Sequence, residues 1–171
     1  MTNRLSITLG ILAITLAGCA SPAMHENMVA GDEQAHPKVA SKFYKSIKST
    51  TVGGGSETIP IWTSQVSSEN FQLALNESLK KAELLSEGGQ YDLSARLVAL
   101  KQPLVGFNMT VRATVDYTIK DKDTKAVVFD ETIESAYTAR VSDTVIGVKR
   151  LRLANEGAIK LNIQMLLEKL S

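Results

Sequence analysis

Residues 107–120 constrain the fold more than any other stretch of the chain. Phe107, Met109, Val111, Ala113, Val115, Tyr117 and Ile119 share one parity; Asn108, Thr110, Arg112, Thr114, Asp116, Thr118 and Lys120 share the other. Successive side chains of a strand point to opposite faces, so the alternation describes a strand with one dry and one wet face. Such a strand belongs to an antiparallel sheet covered on one side only. Its flanks extend the pattern. Tyr91–Leu100 alternates, and Gln102–Gly106, with Pro103, reads as a turn. Asp121–Lys125 is a polar turn, and Ala126–Val141 carries Val127, Phe129, Ile133, Tyr137 and Val141 in phase. Glu131 interrupts that phase, which predicts a bulge or an exposed strand end.

A first strand is expected at Phe43–Val52, closed by Gly53-Gly54-Gly55. No Gly-Lys-Ser/Thr follows these glycines, so they do not form a phosphate-binding loop. Pro60 makes Thr58–Val66 an edge strand or an extended loop. Ser67-Ser68-Glu69 opens a helix, because a serine hydroxyl accepts the orphan amides of a first turn and a carboxylate suits its positive end. Phe71, Ala74, Leu75, Ser78, Leu79 and Ala82 form its apolar face, and Gly88-Gly89 ends it. A last helix is expected from a cap at Ser142-Asp143 to Leu170, with Leu151, Ala154, Ala158, Leu161 and Met165 in one stripe, widened by Ile159, Ile163, Leu166 and Leu170. The order predicts an α+β two-layer sandwich, an antiparallel sheet of about 4–5 strands with two helices packed on one face.

Lys plus Arg number 19 against 18 Asp plus Glu. That balance excludes a protein whose main work is gripping nucleic-acid phosphates. Hydrophobic residues at 44% put the chain among globular proteins rather than disordered ones. With one cysteine there is no internal disulfide and no cysteine-based zinc site. Both histidines, His25 and His36, lie near the amino end, which argues against a histidine-centred hydrolase in the folded part. No cofactor is implied.

The amino end is the most explicit segment. Arg4 precedes an apolar run from Ile7 to Ala17, followed by Gly18, Cys19, Ala20 and Ser21. A positive start, a short apolar core and a small-residue end make a secretory signal, too short for a permanent span. Leu16-Ala17-Gly18-Cys19 resembles the lipobox of bacterial lipoproteins. The resemblance implies cleavage after Gly18, lipid on the thiol and new amino group of Cys19, and, since Ala20 and Ser21 follow, an address at the periplasmic face of the outer membrane. Residues 1–18 are then signal peptide and 19–41 a lipidated end with a flexible tether, punctuated by Pro22, Gly31 and Pro37. Residues 42–171 form a single periplasmic domain. In element order the domain is similar to YajG-type lipoproteins, to the lipopolysaccharide-assembly lipoprotein and to auxiliary lipoproteins of envelope transport systems. That resemblance implies a non-enzymatic accessory subunit, bound to the membrane through its lipid and to an envelope protein or lipid. A stress-associated lipoprotein without a specific ligand is the alternative, followed by a carboxylate enzyme acting on envelope lipid or glycan.

Beyond Cys19, few residues suggest a site. Lys149, Arg150 and Arg152 cluster where the last helix begins, fitting either an anion or a charged turn paired with Asp143 and Glu156. Trp62 is the best single contact residue, exposed or buried against the sheet. Asp116, Asp130 and Glu134 are the carboxylates an enzyme would use. Ser78-Leu79-Lys80-Lys81 matches a Ser-x-x-Lys pattern, but Ser78 falls on the apolar helix face. His25, Glu26, Asp32, Glu33 and His36 offer metal ligands only on a floppy segment, which loses chain entropy on coordination.

Overall fold

The computed structural model describes residues 20–31, 41–56 and 64–171. Its elements are α1 (His25–Met28), β1 (Ile47–Gly53), α2 (Ser68–Lys81), β2 (Tyr91–Lys101), β3 (Met109–Asp121), β4 (Val127–Ala139) and α3 (Gly147–Leu170). The four strands form one sheet in the order β1-β2-β3-β4. The fold is α+β, and the long alternating stretch becomes the inner strand β3. Met109, Val111, Ala113, Val115, Tyr117 and Ile119 are buried against the helices, while the opposite parity faces water. The sheet is mixed rather than antiparallel throughout. β2, β3 and β4 form the expected meander, but β1 runs parallel to β2, with Thr50 opposite Leu93 and Val52 opposite Ala95. The connection through α2 makes this possible, because a helix carries the chain back to the end from which a parallel strand must start.

Local chemistry sets the boundaries. Ser67 caps α2, its Oγ accepting the Asn70 amide at 3.2 Å. The helix stops at Lys81, earlier than the Gly88-Gly89 pair, and Glu83 leaves it with a φ of 51°. Gly54 has a φ of 81°, and a Cβ there would lie 2.2 Å from the Leu97 carbonyl. The glycine run therefore lets β1 end tightly against β2. The irregular register on β4 falls at Val128 rather than Glu131. Glu131 stays in phase at the exposed end of the helix-covered face, where Lys169 Nζ lies 3.3 Å from its carboxylate.

α3 lies across β3 and β4. Its buried stripe includes Leu151, Ala154, Ala158, Ile159, Ile163, Leu166 and Leu170, while Leu161 and Met165 sit at its half-buried margins. Two asparagines run through the stripe. Asn162 is fully buried: its Oδ1 accepts the Tyr117 hydroxyl at 2.9 Å, and its Nδ2 donates to the Ile133 carbonyl at 2.9 Å and to Ser135 Oγ at 3.2 Å. Ser135 Oγ in turn donates to the Ala158 carbonyl at 2.8 Å. Each of these buried polar groups is met, which is the condition for tolerating them in a core. Burial raises the Tyr117 phenol well above its ordinary pKa, so the hydroxyl remains a donor.

The largest departure from the sequence reading is at the amino end. Residues 20–31, expected as tether, are part of the domain. Ala23, Met28 and Ala30 are buried between α2 and α3. Their backbone is satisfied from the domain side: Glu156 Oε1 accepts the Met24 amide at 2.9 Å, and Ser78 Oγ accepts the Ala30 amide at 2.9 Å. The segment lacks periodicity because it packs as a short irregular strap, yet it carries enough apolar surface to stay. Ser78, the residue of the Ser-x-x-Lys match, is buried in this contact.

Candidate functional site

β2 and β3 are joined by residues 102–108, and β4 and α3 by residues 140–146. Met109 pairs with Ala139, so both connections lie at the same end of the sheet. Leu104, Val105 and Phe107 in the first are 96%, 85% and 87% exposed, and Val145 in the second is 82% exposed. A lone apolar residue on a surface is ordinary, but a cluster projecting from adjoining loops marks a contact surface. Withdrawing one Leu or Phe side chain from water is worth roughly 1.5–3 kcal/mol. Phe107 was expected on the dry face of the long strand; the strand instead begins at Met109, and Phe107 belongs to the loop.

Arg150 holds the two loops together. Its Nη1 donates to the Thr144 carbonyl at 2.7 Å and its Nη2 to the Gly106 carbonyl at 3.5 Å. The residue is 7% exposed. The basic cluster is therefore not one convergent anion site. Lys149 is exposed, Arg150 is buried in the loop clamp, and Arg152 Nε lies 3.6 Å from Glu156, whose carboxylate also holds α1 through Asn27 Nδ2 at 3.0 Å. The helical rotation of 100° per residue sends neighbouring side chains in different directions. α3 starts at Gly147, and its N-cap Ile146 offers no side-chain acceptor. Asp143 does not cap it; its Oδ2 accepts the Arg140 amide at 2.7 Å and closes the preceding turn. Cys19 and Trp62 lie outside the described residues, as do Asp32, Glu33 and His36. His25 Nδ1 is 3.5 Å from Glu26.

The carboxylates lie on the uncovered sheet face. Ser94, Arg96, Asp116, Thr118, Asp130 and Thr132 line an open depression of about 550 Å³. Asp116 accepts from Thr132 Oγ1 at 2.7 Å and from Arg96 Nη2 at 2.6 Å, and these donors hold its carboxyl below the ordinary value. Asp130 accepts from Thr118 Oγ1 at 2.9 Å. A general acid at neutral pH needs the opposite shift.

The chain enters the domain close to the apolar loops. Ser64 Oγ donates to the Ser21 carbonyl at 2.8 Å. The Ser64 carbonyl accepts from Gln102 Nε2 and Asn155 Nδ2, each at 2.9 Å. Gln102 is the first residue of the loop that carries Leu104. From there the strap runs towards Ser78, away from that end. Ala20, beside Cys19, is thus fixed near the loop base. No helix among the described residues is long and apolar enough to cross a membrane.

No family model and no curated sequence matches the chain. Solved structures do match. A DUF330 protein from Xanthomonas campestris superposes with a TM-score of 0.59 at 12% identity, over 83% of this chain and 90% of that one. A minor lipoprotein from Acinetobacter baumannii gives 0.50 at 12% identity, over 74% and 91%. The fold is one that bacterial lipoproteins use. PelC from Paraburkholderia phytofirmans, solved as a dodecamer, gives 0.50 at 14% identity, over 80% and 94%. At these identities the likeness establishes the fold alone. The loop residues Leu104, Val105, Phe107 and Val145 escaped the sequence reading. The available signal was an apolar run, Leu104-Val105-Gly106-Phe107, directly after Pro103, where a turn is normally polar.

Proposed function

We propose that this chain is a non-enzymatic accessory lipoprotein of the bacterial envelope, anchored at the periplasmic face of the outer membrane by lipid on Cys19 and working through contact with a neighbouring envelope component. The observation that carries this reading is the docking of residues 20–31. The lipobox cysteine is followed at once by a residue built into the domain, so lipid on Cys19 holds the folded body directly against a bilayer instead of letting it range on a leash of about 20 residues with a reach of roughly 25 Å. One chain binds a membrane only marginally, and the several chains of a mature lipoprotein anchor it firmly. The fold shared with a bacterial lipoprotein supports the same assignment. Asp116, engaged by Thr132 and Arg96 on the open sheet face, is not set up as a general acid, which supports the non-enzymatic part.

Metabolic labelling with a fatty acid tests the anchor. The wild-type chain is expected to take up label and fractionate with membranes, and Cys19→Ala to abolish both labelling and correct processing. A wild-type chain that carries no label and is recovered from the soluble periplasm overturns the reading.

A further inference from the structure

We infer that the paired loops carrying Leu104, Val105, Phe107 and Val145 dip into the bilayer that holds the anchor, making a second, sequence-encoded membrane contact. The inference rests on the anchor assigned above and names what the apolar end touches. The occupant is identified by three features. The chain leaves the fold beside these loops, through Ser21, Ser64 and Gln102, so an acylated Cys19 brings this end to the lipid surface. The apolar side chains stand free of the domain: Leu104 at 96% exposure and Phe107 at 87% are available for insertion among acyl chains. The charged residues around the loops are mainly cationic. Lys101, Arg112, Arg140 and Lys149 are exposed at this end, against Asp143 and Glu134. The α3 amino terminus, uncapped by any side chain, opens at the same place. An apolar tip within a basic collar matches an anionic phospholipid surface, acyl chains inside and phosphates around. The Arg150 clamp gives the loops a fixed joint presentation, which lowers the entropy lost on insertion.

The test places a tryptophan in the loop. The full chain carrying Phe107→Trp, with Thr132→Trp on the uncovered sheet face as control, is mixed with vesicles of phosphatidylglycerol and phosphatidylcholine brominated on its acyl chains. The parent, whose single tryptophan is Trp62, supplies the background. The added Phe107→Trp emission is expected to shift to the blue and lose most of its intensity, and the Thr132→Trp emission to stay unquenched. A vesicle-bound Phe107→Trp chain with unquenched emission overturns the inference and leaves the anchor standing. A blue shift without vesicles also overturns it, in favour of a second copy covering the loops. If the mass of the amino-terminal peptide shows no lipid, the anchor fails on its own, and the loops are judged by sedimentation with the same vesicles. Leu104→Ser with Phe107→Ser must then lower binding by roughly a hundredfold or more, and equal binding of parent and double variant sinks the inference.

Discussion

At the β3–β4 turn, Asp121 Oδ1 accepts the amides of Asp123 and Thr124 at 3.0 and 2.8 Å and the Thr124 hydroxyl at 3.0 Å. At the opposite end of the same strands, Leu104, Val105 and Phe107 stand in solvent and an arginine from α3 grips their loop. Both connections turn an antiparallel pair. The first satisfies itself: polar side chains close the turn, Lys125 takes the left-handed conformation at a φ of 62°, and charges of both signs mix with the solvent. The second leaves apolar surface uncovered and draws its order from a residue forty-four positions away. A turn needs only the first arrangement. The second exposes apolar surface that the turn itself does not need.

The difference can be broken in graded steps. Asn162 joins β3, β4 and α3 midway between the ends. Asn162→Ala leaves the Tyr117 hydroxyl without its acceptor in the core and removes the amide that meets the Ile133 carbonyl. It is expected to cost about 3 kcal/mol in denaturant unfolding, felt equally at both ends; a loss confined to one end would show that the network does not join them. Arg150→Ala removes the clamp alone. It is expected to cost about 1–3 kcal/mol and to speed amide exchange through residues 104–107 and 141–146, leaving residues 121–125 unchanged. Uniform acceleration would mean that Arg150 supports the whole fold rather than the loops.

The polar end responds to acid. Asp121 is held below its ordinary value by the Thr124 amide and hydroxyl, and Asp116 by Thr132 and Arg96. A carboxyl depressed in the folded state contributes stability that is present above its unfolded value of about 4 and is lost as pH falls through the folded value. Asp121→Asn keeps the turn's acceptor but not its charge. The thermal midpoint is expected to lie below the parent's at neutral pH and to fall less steeply between the mid-acid range and strong acid, where the two converge. An unchanged acid limb would remove Asp121 from the account. The smallest effect on stability belongs to the apolar end. Leu104→Ser with Phe107→Ser is expected to move unfolding by less than about 0.5 kcal/mol, as exposed side chains do, while dye binding to exposed apolar surface falls. A large destabilisation would show that these residues pack in solution.

Much of the sheet is legible in the residues alone. β2, β3 and the far end of β4 follow the period of two, and Ser67 caps α2 where a serine before an acidic first turn belongs. Two features of α3 were not legible. Its stripe was found, but Asn155 and Asn162 interrupt the apolar pattern and count as polar by composition alone; only the facing carbonyls and Tyr117 show that they are core. Its start was displaced by Ser142-Asp143, good capping residues that close a turn instead. Arg150 has the charge of an anion-binding residue, yet its guanidinium is spent on the Thr144 and Gly106 carbonyls.

Near neighbours in the chain were enough for the alternating strands, the apolar stripes of both long helices and the polar hairpin turn. These are properties of a few consecutive residues, and backbone geometry converts them directly into faces. Tertiary structure alone decided the parallel pairing of β1, the burial of residues 20–31 and the exposure of Leu104 and Phe107. An apolar residue is driven out of water with the same strength wherever it stands, so its chemistry names a wish for cover and not the surface that provides it. For Met28 that cover is α2 and α3; for Phe107 the domain provides none.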